Sequence, residues 1–225
     1  MIEPNETGGT AMTLPHRTYL LVATVLAWGA LALQLHLTLS LSATNGMSTT
    51  GGIVRFFSYF TVTTNTLAAI TFTSVLLARN TMRRPFFARP GVIAAVTMYM
   101  IVVGITYSLL LRSTWNPVGL QLVADRLLHD VMPIVMVAYW LVFVTRGSLH
   151  WRMIGWWLVY PIAYLVYSLA AGPVSGFYPY PFIDVTVLGY PRTLANSAAL
   201  AVAFTVLASL MIGADSYMGR VRSSR

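Results

Sequence analysis

The chain predicts an all-α, polytopic membrane bundle of six transmembrane helices with both termini cytoplasmic. Three observations carry that expectation. Of 225 residues, 57% are hydrophobic and 9% are charged, whereas a soluble domain carries about 25% charged residues. Six apolar stretches reach or approach the roughly 20 residues that cross a hydrocarbon core about 30 Å thick. The arginines, finally, alternate between sparse and dense from one connection to the next.

Residues 1–16 lack apolar periodicity and read as a flexible cytoplasmic tail before a transmembrane domain over 17–217 and a basic tail over 218–225. The first span, 18–42, follows Arg17 and ends at Ser40-Leu41-Ser42, a tolerable cleavage context. Its apolar run of about 24 residues exceeds the 7 to 15 of a secretory h-region, so a retained anchor helix is expected. The second span, 57–78, opens in the polar run Arg55-Phe-Phe-Ser58-Tyr-Phe-Thr61-Val-Thr-Thr-Asn65. The third covers 91–111. The fourth, 121–144, contains Arg126-Leu-Leu-His129-Asp130-Val-Met-Pro133, and the fifth and sixth cover 153–171 and 193–214. Connections at 44–54, 80–90, 112–119 and 145–152 are short, which makes consecutive helices antiparallel neighbours. The longest, 172–191, holds prolines at 173, 179, 181 and 191 that forbid a long helix, and aromatic residues suited to the membrane interface. It is expected to fold over the bundle mouth as an aromatic lid.

The net charge of +8 comes from 14 arginines and no lysine. A cytoplasmic N-terminus places ten of them inside and leaves Arg55, Arg112, Arg126 and Arg192 outside, as the positive-inside rule requires. The basic excess is thus a topology signal with anionic lipid head groups as partner, and no nucleic acid is expected. Cysteine is absent, which excludes disulfides, thiolate catalysis and Cys-ligated metals.

With that orientation the polar residues converge on the outer half. Gln34 and His36 end the first span, while Arg55, Ser58, Thr61, Thr64 and Asn65 begin the second. Tyr107 and Arg112 end the third, Asp125, Arg126, His129 and Asp130 begin the fourth, and Asp184 lies in the lid. Ionisable groups in a membrane line protein-enclosed sites far more often than they face lipid. The four arginines and three aspartates of this set nearly balance, and Arg126 with Asp130, like Asp125 with His129, are spaced to pair along one helix face. Ser58, Thr61, Asn65 and Ala68 share one small, polar face. Pro133 has no N–H for the carbonyl of His129, so a bend there is expected.

A threonine hydroxyl becomes a nucleophile when a base takes its proton, and histidine suits that role near neutrality. Thr61 and His129 can meet at one depth. Asp130 points about 100° from His129 around a helix of 3.6 residues per turn, so Asp125 or Asp184 is the better group to orient the imidazole. A zinc site would need a third ligand beside His36 and His129 at workable spacing, which is missing, so neither metal nor other cofactor is expected.

Three blocks resemble the androgen-induced and androgen-dependent TFPI-regulating membrane proteins and their bacterial six-helix relatives: FFSYFTVTTNTL at 56–67, LLHDVMPIV at 127–135 and FYPYPFIDV at 177–185. The resemblance implies hydrolysis of fatty acid esters of hydroxy fatty acids, with a Thr nucleophile at Thr61, a His base at His129 and Asp184 at the family's acidic position. It also implies membrane lipids or fatty acyl esters as partners and a bacterial plasma membrane as the location. His129 stands four residues before Pro133 where the animal pattern has five, and Thr63, Thr64 and Asn65 are further candidates beside Thr61. The competing expectation is a non-catalytic lipid-binding or transport bundle whose polar groups satisfy one another.

Overall fold

The computed structural model describes residues 12–78 and 84–223. Arg79, Arg83 and Arg225, three of the ten arginines placed inside, lie outside the described residues. Among the described residues there are seven helices: α1 (Leu14–Thr44), α2 (Thr49–Phe57), α3 (Phe60–Leu77), α4 (Pro90–Thr114), α5 (Leu120–Phe143), α6 (Met153–Ser175) and α7 (Val185–Ser223). All except α2 are long and apolar enough to cross a membrane, as an integral membrane protein requires.

Helix α1 starts at Leu14, four residues earlier than expected, because Pro15 fits a first turn whose N–H groups have no intrahelical partner. Its inner face is Leu20, Ala23, Ala27 and Ala30, each at most 1% exposed. Alanines at helical spacing let backbones approach closely where no water drives apolar surfaces together, and α1 lies along α3.

The second expected span is two helices, not one. Ser48 caps α2 by accepting the Gly51 N–H at 3.1 Å, and α2 ends at Ser58. Tyr59 is then extended (φ −86°, ψ 129°) and α3 begins at Phe60. Gly52 lets α2 press onto α1, since an added Cβ would come within 2.9 Å of Leu39. The break at Ser58–Tyr59 therefore puts Thr61 in the first turn of a helix, where backbone N–H groups look outward unpaired.

Helices α4 and α5 each contain one wide i→i+5 turn, at Tyr107–Leu111 and Leu127–Val131. In α5 that turn answers Pro133: the Met132 N–H reaches back five residues to the Leu127 carbonyl. Such turns cluster at functional sites, and here both carry polar residues of the expected outer set.

Helix α6 runs to Ser175, four residues past the expected end, with Pro173 in its last turn, and stops at Gly176 (φ 66°). Helix α7 starts at Val185, well before residue 193, but its first turn is broken at Gly189 (φ 69°, ψ 161°) before Pro191. The connection is consequently shorter than the sequence indicates. Tyr178 lies on Gly172, where an added Cβ would stand 2.2 Å from its ring.

Long tyrosines hold α6 to the bundle. Tyr160 Oη meets Thr63 Oγ1 at 2.7 Å and Thr64 Oγ1 at 2.9 Å, Tyr164 donates to the Ser58 carbonyl at 2.8 Å, and Tyr99 donates to the Trp157 carbonyl at 2.6 Å. At the opposite end Asp215, fully buried, accepts the Leu149 N–H at 3.0 Å. Arg146 there donates to the Trp140 and Leu141 carbonyls, a cation placed at the C-terminal end of α5. Because the tyrosine bonds are the polar attachments of α6, Tyr160→Phe should cost about 1 kcal/mol and lower the melting temperature in detergent, whereas Tyr217→Phe, exposed on α7, should leave it unchanged.

Candidate functional site

A cavity of about 370 Å³ opens at the end of the bundle where α1, α4 and α6 finish. Its wall takes Gln34 from α1, Arg55 from α2, Thr61 from α3, Tyr107 from α4, Gln121, Asp125 and His129 from α5, and Pro179, Tyr180 and Pro181 from the lid. Thr61 and His129, expected at one depth from the sequence, thus face a common space.

Thr61 is 7% exposed and fixed by the lid. Its N–H donates to Tyr180 Oη at 3.1 Å, and its Oγ1 lies 3.3 Å from the same oxygen. Tyr180 is set between two prolines that restrict its backbone. Phe182 stacks on its ring at 5.2 Å and Tyr59 meets it edge-on at 6.1 Å. Burial pushes its phenol up to about 12 against the opposing hydrogen bonds from Thr61, so it keeps its proton at neutral pH.

His129 is fixed from two sides. Nδ1 lies 3.0 Å from the Asp125 carbonyl and 3.2 Å from Asp125 Oδ1, and the ring stacks on Tyr107 with centroids 3.9 Å apart. Asp125, 3% exposed, accepts the Tyr107 hydroxyl on Oδ2 at 2.6 Å, and Trp115 Nε1 donates to the Tyr107 oxygen at 3.3 Å. Nδ1 engaged in this way favours the tautomer with its proton there and Nε2 as the acceptor. Among the described residues Nε2 has no protein hydrogen-bond partner, and the side chain keeps 14% exposure.

Asn65 joins the two halves of the site. Its Nδ2 donates to the Thr61 carbonyl at 2.9 Å and to the Leu128 carbonyl at 3.2 Å. In the i→i+5 register, Leu128 is the residue whose carbonyl would need the N–H that Pro133 lacks. The expectation of a vacancy at His129 is therefore corrected: the wide turn shifts the register by one residue, and α3 supplies the donor. The His129 carbonyl instead faces Gly104, where an added Cβ would stand 3.4 Å away.

The other expected residues divide. Asp130 is held by Arg126 at 2.8 Å and by Arg112, so it is spent on charge pairing away from His129. Arg55 stands 4.1 Å over the Phe177 ring, at the cavity wall. Pairing within the outer charges is thus partial: among the described residues neither Arg55 nor Arg192 has a carboxylate partner. Ser58 does not share the Thr61 face, because the helix break turns it toward α6; its hydroxyl donates to the Val54 carbonyl at 2.8 Å and lies 3.3 Å from Tyr167 Oη. Asp184 accepts the Thr186 N–H at 2.9 Å and starts α7, which leaves Asp125 as the carboxylate on His129. Thr63 and Thr64 are committed to Tyr160, and His36 is exposed. Among the described residues no three His, Cys, Asp or Glu side chains come together as a metal site.

Two contributors escaped the sequence reading. Tyr107 was placed at the right depth, but its stacking and its bond to Asp125 depend on the wide turn. Tyr180 sat inside the lid as one of several aromatic residues, and only its flanking prolines marked it as rigid.

No protein-family model, curated protein or solved structure matches this chain.

Replacing Asn65 with Leu would leave the buried Leu128 carbonyl without its donor, at about 1 to 3 kcal/mol, while the Thr61 carbonyl keeps its helical N–H. Thermal unfolding in detergent should show a clear loss for Asn65→Leu and little for Asn45→Leu, whose side chain has no hydrogen-bond partner among the described residues.

Proposed function

We propose that the protein is a membrane-embedded carboxylic ester hydrolase in which Thr61 is the nucleophile, His129 the base and Asp125 the residue that orients it. The observation that carries this reading is the cavity lined both by Thr61 and by an imidazole whose Nδ1 is held at the Asp125 main-chain carbonyl, with the buried Asp125 carboxylate 3.2 Å away. The resemblance of the three sequence blocks to the threonine hydrolases of fatty acid esters of hydroxy fatty acids supports the same assignment.

In the reaction His129 Nε2 takes the Thr61 Oγ proton as Oγ bonds to the ester carbonyl carbon. Collapse breaks the bond to the alcohol oxygen, which leaves with the proton returned by the imidazolium. A water then gives its proton to Nε2, attacks the acyl-threonine and releases the acid as Thr61 Oγ is reprotonated. Asp125 stabilises the transient imidazolium and holds its tautomer, the role a carboxylate plays behind a catalytic histidine. The Tyr180 hydroxyl, still protonated, can bond the oxygen on which negative charge develops.

Hydrolysis of p-nitrophenyl butyrate by purified protein should vanish in Thr61→Ala and His129→Ala, and fall by about 10²-fold or more in Asp125→Asn. Binding of fatty acyl esters without any hydrolysis in the unsubstituted protein would favour the lipid-binding or transport reading instead. We also place the site end away from the cytoplasm, from the arginine distribution. Since the chain lacks cysteine, Val118→Cys should react with an impermeant maleimide on intact cells and His150→Cys only after permeabilisation; the reverse pattern would invert the topology.

A further inference from the structure

A second cavity, about 100 Å³, lies on the other side of Thr61, bounded by α3, α4, α6, α7 and the lid. Thr61, Tyr107, Leu111 and Tyr180 line both cavities. The two spaces differ in chemistry. The larger one presents Gln34, Gln121, Arg55, Asp125 and His129. The smaller is walled by Val102, Leu158, Ile162, Leu165, Leu200 and Phe204.

The tyrosine attachments of α6 explain why the smaller space exists. Only 11% of the apolar stretch of α6 is buried, against 56% for α4. Tyr160 reaches across to α3 and Tyr164 to the Ser58 carbonyl just before it, so the α6 backbone stands a full side chain away from α3. Apart from Thr61 and its tyrosines, Thr106 and Ser197 are the polar residues on the wall of this gap, and Ile162, 51% exposed, lies at its margin toward the lipid-facing side.

We propose that this apolar cavity is the acyl-chain slot of the substrate ester, entered from the bilayer past Ile162. The slot depends on the hydrolase reading for its place in the reaction, though not for its occupancy. The ester carbonyl comes to rest at the Thr61–Tyr180 pair, the only polar groups common to both spaces apart from Tyr107. The acyl chain lies between α4, α6 and α7, and the alcohol leaves through the polar cavity, where His129 returns its proton. The substrate class is accordingly an ester of a linear acyl chain drawn laterally from a membrane, and the acyl-threonine intermediate keeps its chain in the slot while water arrives from the polar side.

The test narrows the slot with Ala201→Phe and, at its less buried margin, Ile162→Trp. Both are compared with the unsubstituted protein on p-nitrophenyl acetate and p-nitrophenyl palmitate, with thermal unfolding as the check on folding. Palmitate hydrolysis should fall by about tenfold or more while acetate hydrolysis stays within about twofold, as filling an apolar pocket discriminates by chain and not by chemistry. An equal loss on both esters in a folded variant, or none on either, overturns the slot. Occupancy is read separately in Thr61→Ala, which cannot turn over, with a diazirine-bearing palmitate analogue and peptide mapping. Adducts on Leu158, Leu165 or Leu200 that disappear in Ala201→Phe support the slot even if no ester is hydrolysed, an outcome in which the hydrolase reading falls alone. Adducts scattered over the lipid-facing surface and unaffected by Ala201→Phe overturn it.

Discussion

One side-chain amide sets the geometry on which the site depends. Pro133 removes an N–H from α5, the wide turn at Leu127–Val131 moves the resulting vacancy to Leu128, and Asn65 of α3 fills it while holding the Thr61 carbonyl with the same nitrogen. In a hydrocarbon surrounding water cannot repair an unpaired carbonyl, so the pairing fixes how α3 and α5 register. Thr61 and His129 each lie within one turn of an Asn65 contact. The relative placement of the hydroxyl and the imidazole thus follows from backbone hydrogen-bond satisfaction as well as from packing.

A second constraint acts on α6, where hydroxyls at the ends of long rings replace close helix contact. Small residues bring α1 against α3, and Gly104 brings α4 against α5. Tyrosines do the opposite: they attach and separate in one stroke. The bundle is consequently tight around Asn65 and open beside Thr61, with a polar space on one side of the threonine and an apolar one on the other. Tyr180 stands at their junction, carried there by a lid whose rigidity comes from Pro179 and Pro181.

Most of the architecture was legible because it follows from apolar length. Six spans and the short connections between them need only the thickness of a bilayer and the absence of leftover sequence. The polar clusters were legible too, since Arg55, Asp125, His129 and Asp130 stand out against an apolar background. Pairing at four-residue spacing placed Arg126 on Asp130 and Asp125 on His129 without any structure. What was hidden are departures from regular helix. A uniform periodicity through 57–78 gives no sign that the chain extends at Tyr59, which is why Ser58 was grouped with Thr61 although it faces α6. The wide turns at Tyr107–Leu111 and Leu127–Val131 likewise change which carbonyl a proline strands and which ring stacks on His129. Asp184 could not be separated from Asp125 in the sequence, because nothing in a lid segment reveals that a carboxylate is occupied in starting the next helix.

The claim that ties these features together is that Thr61 Oγ is an activated nucleophile. It is tested most directly by treating the purified protein with a fluorophosphonate and locating the adduct by peptide mass spectrometry. The account predicts a single covalent phosphonyl adduct on Thr61 that is absent from His129→Ala. No adduct, an adduct on Ser58 or Tyr180, or labelling of Thr61 that persists without His129 would contradict it.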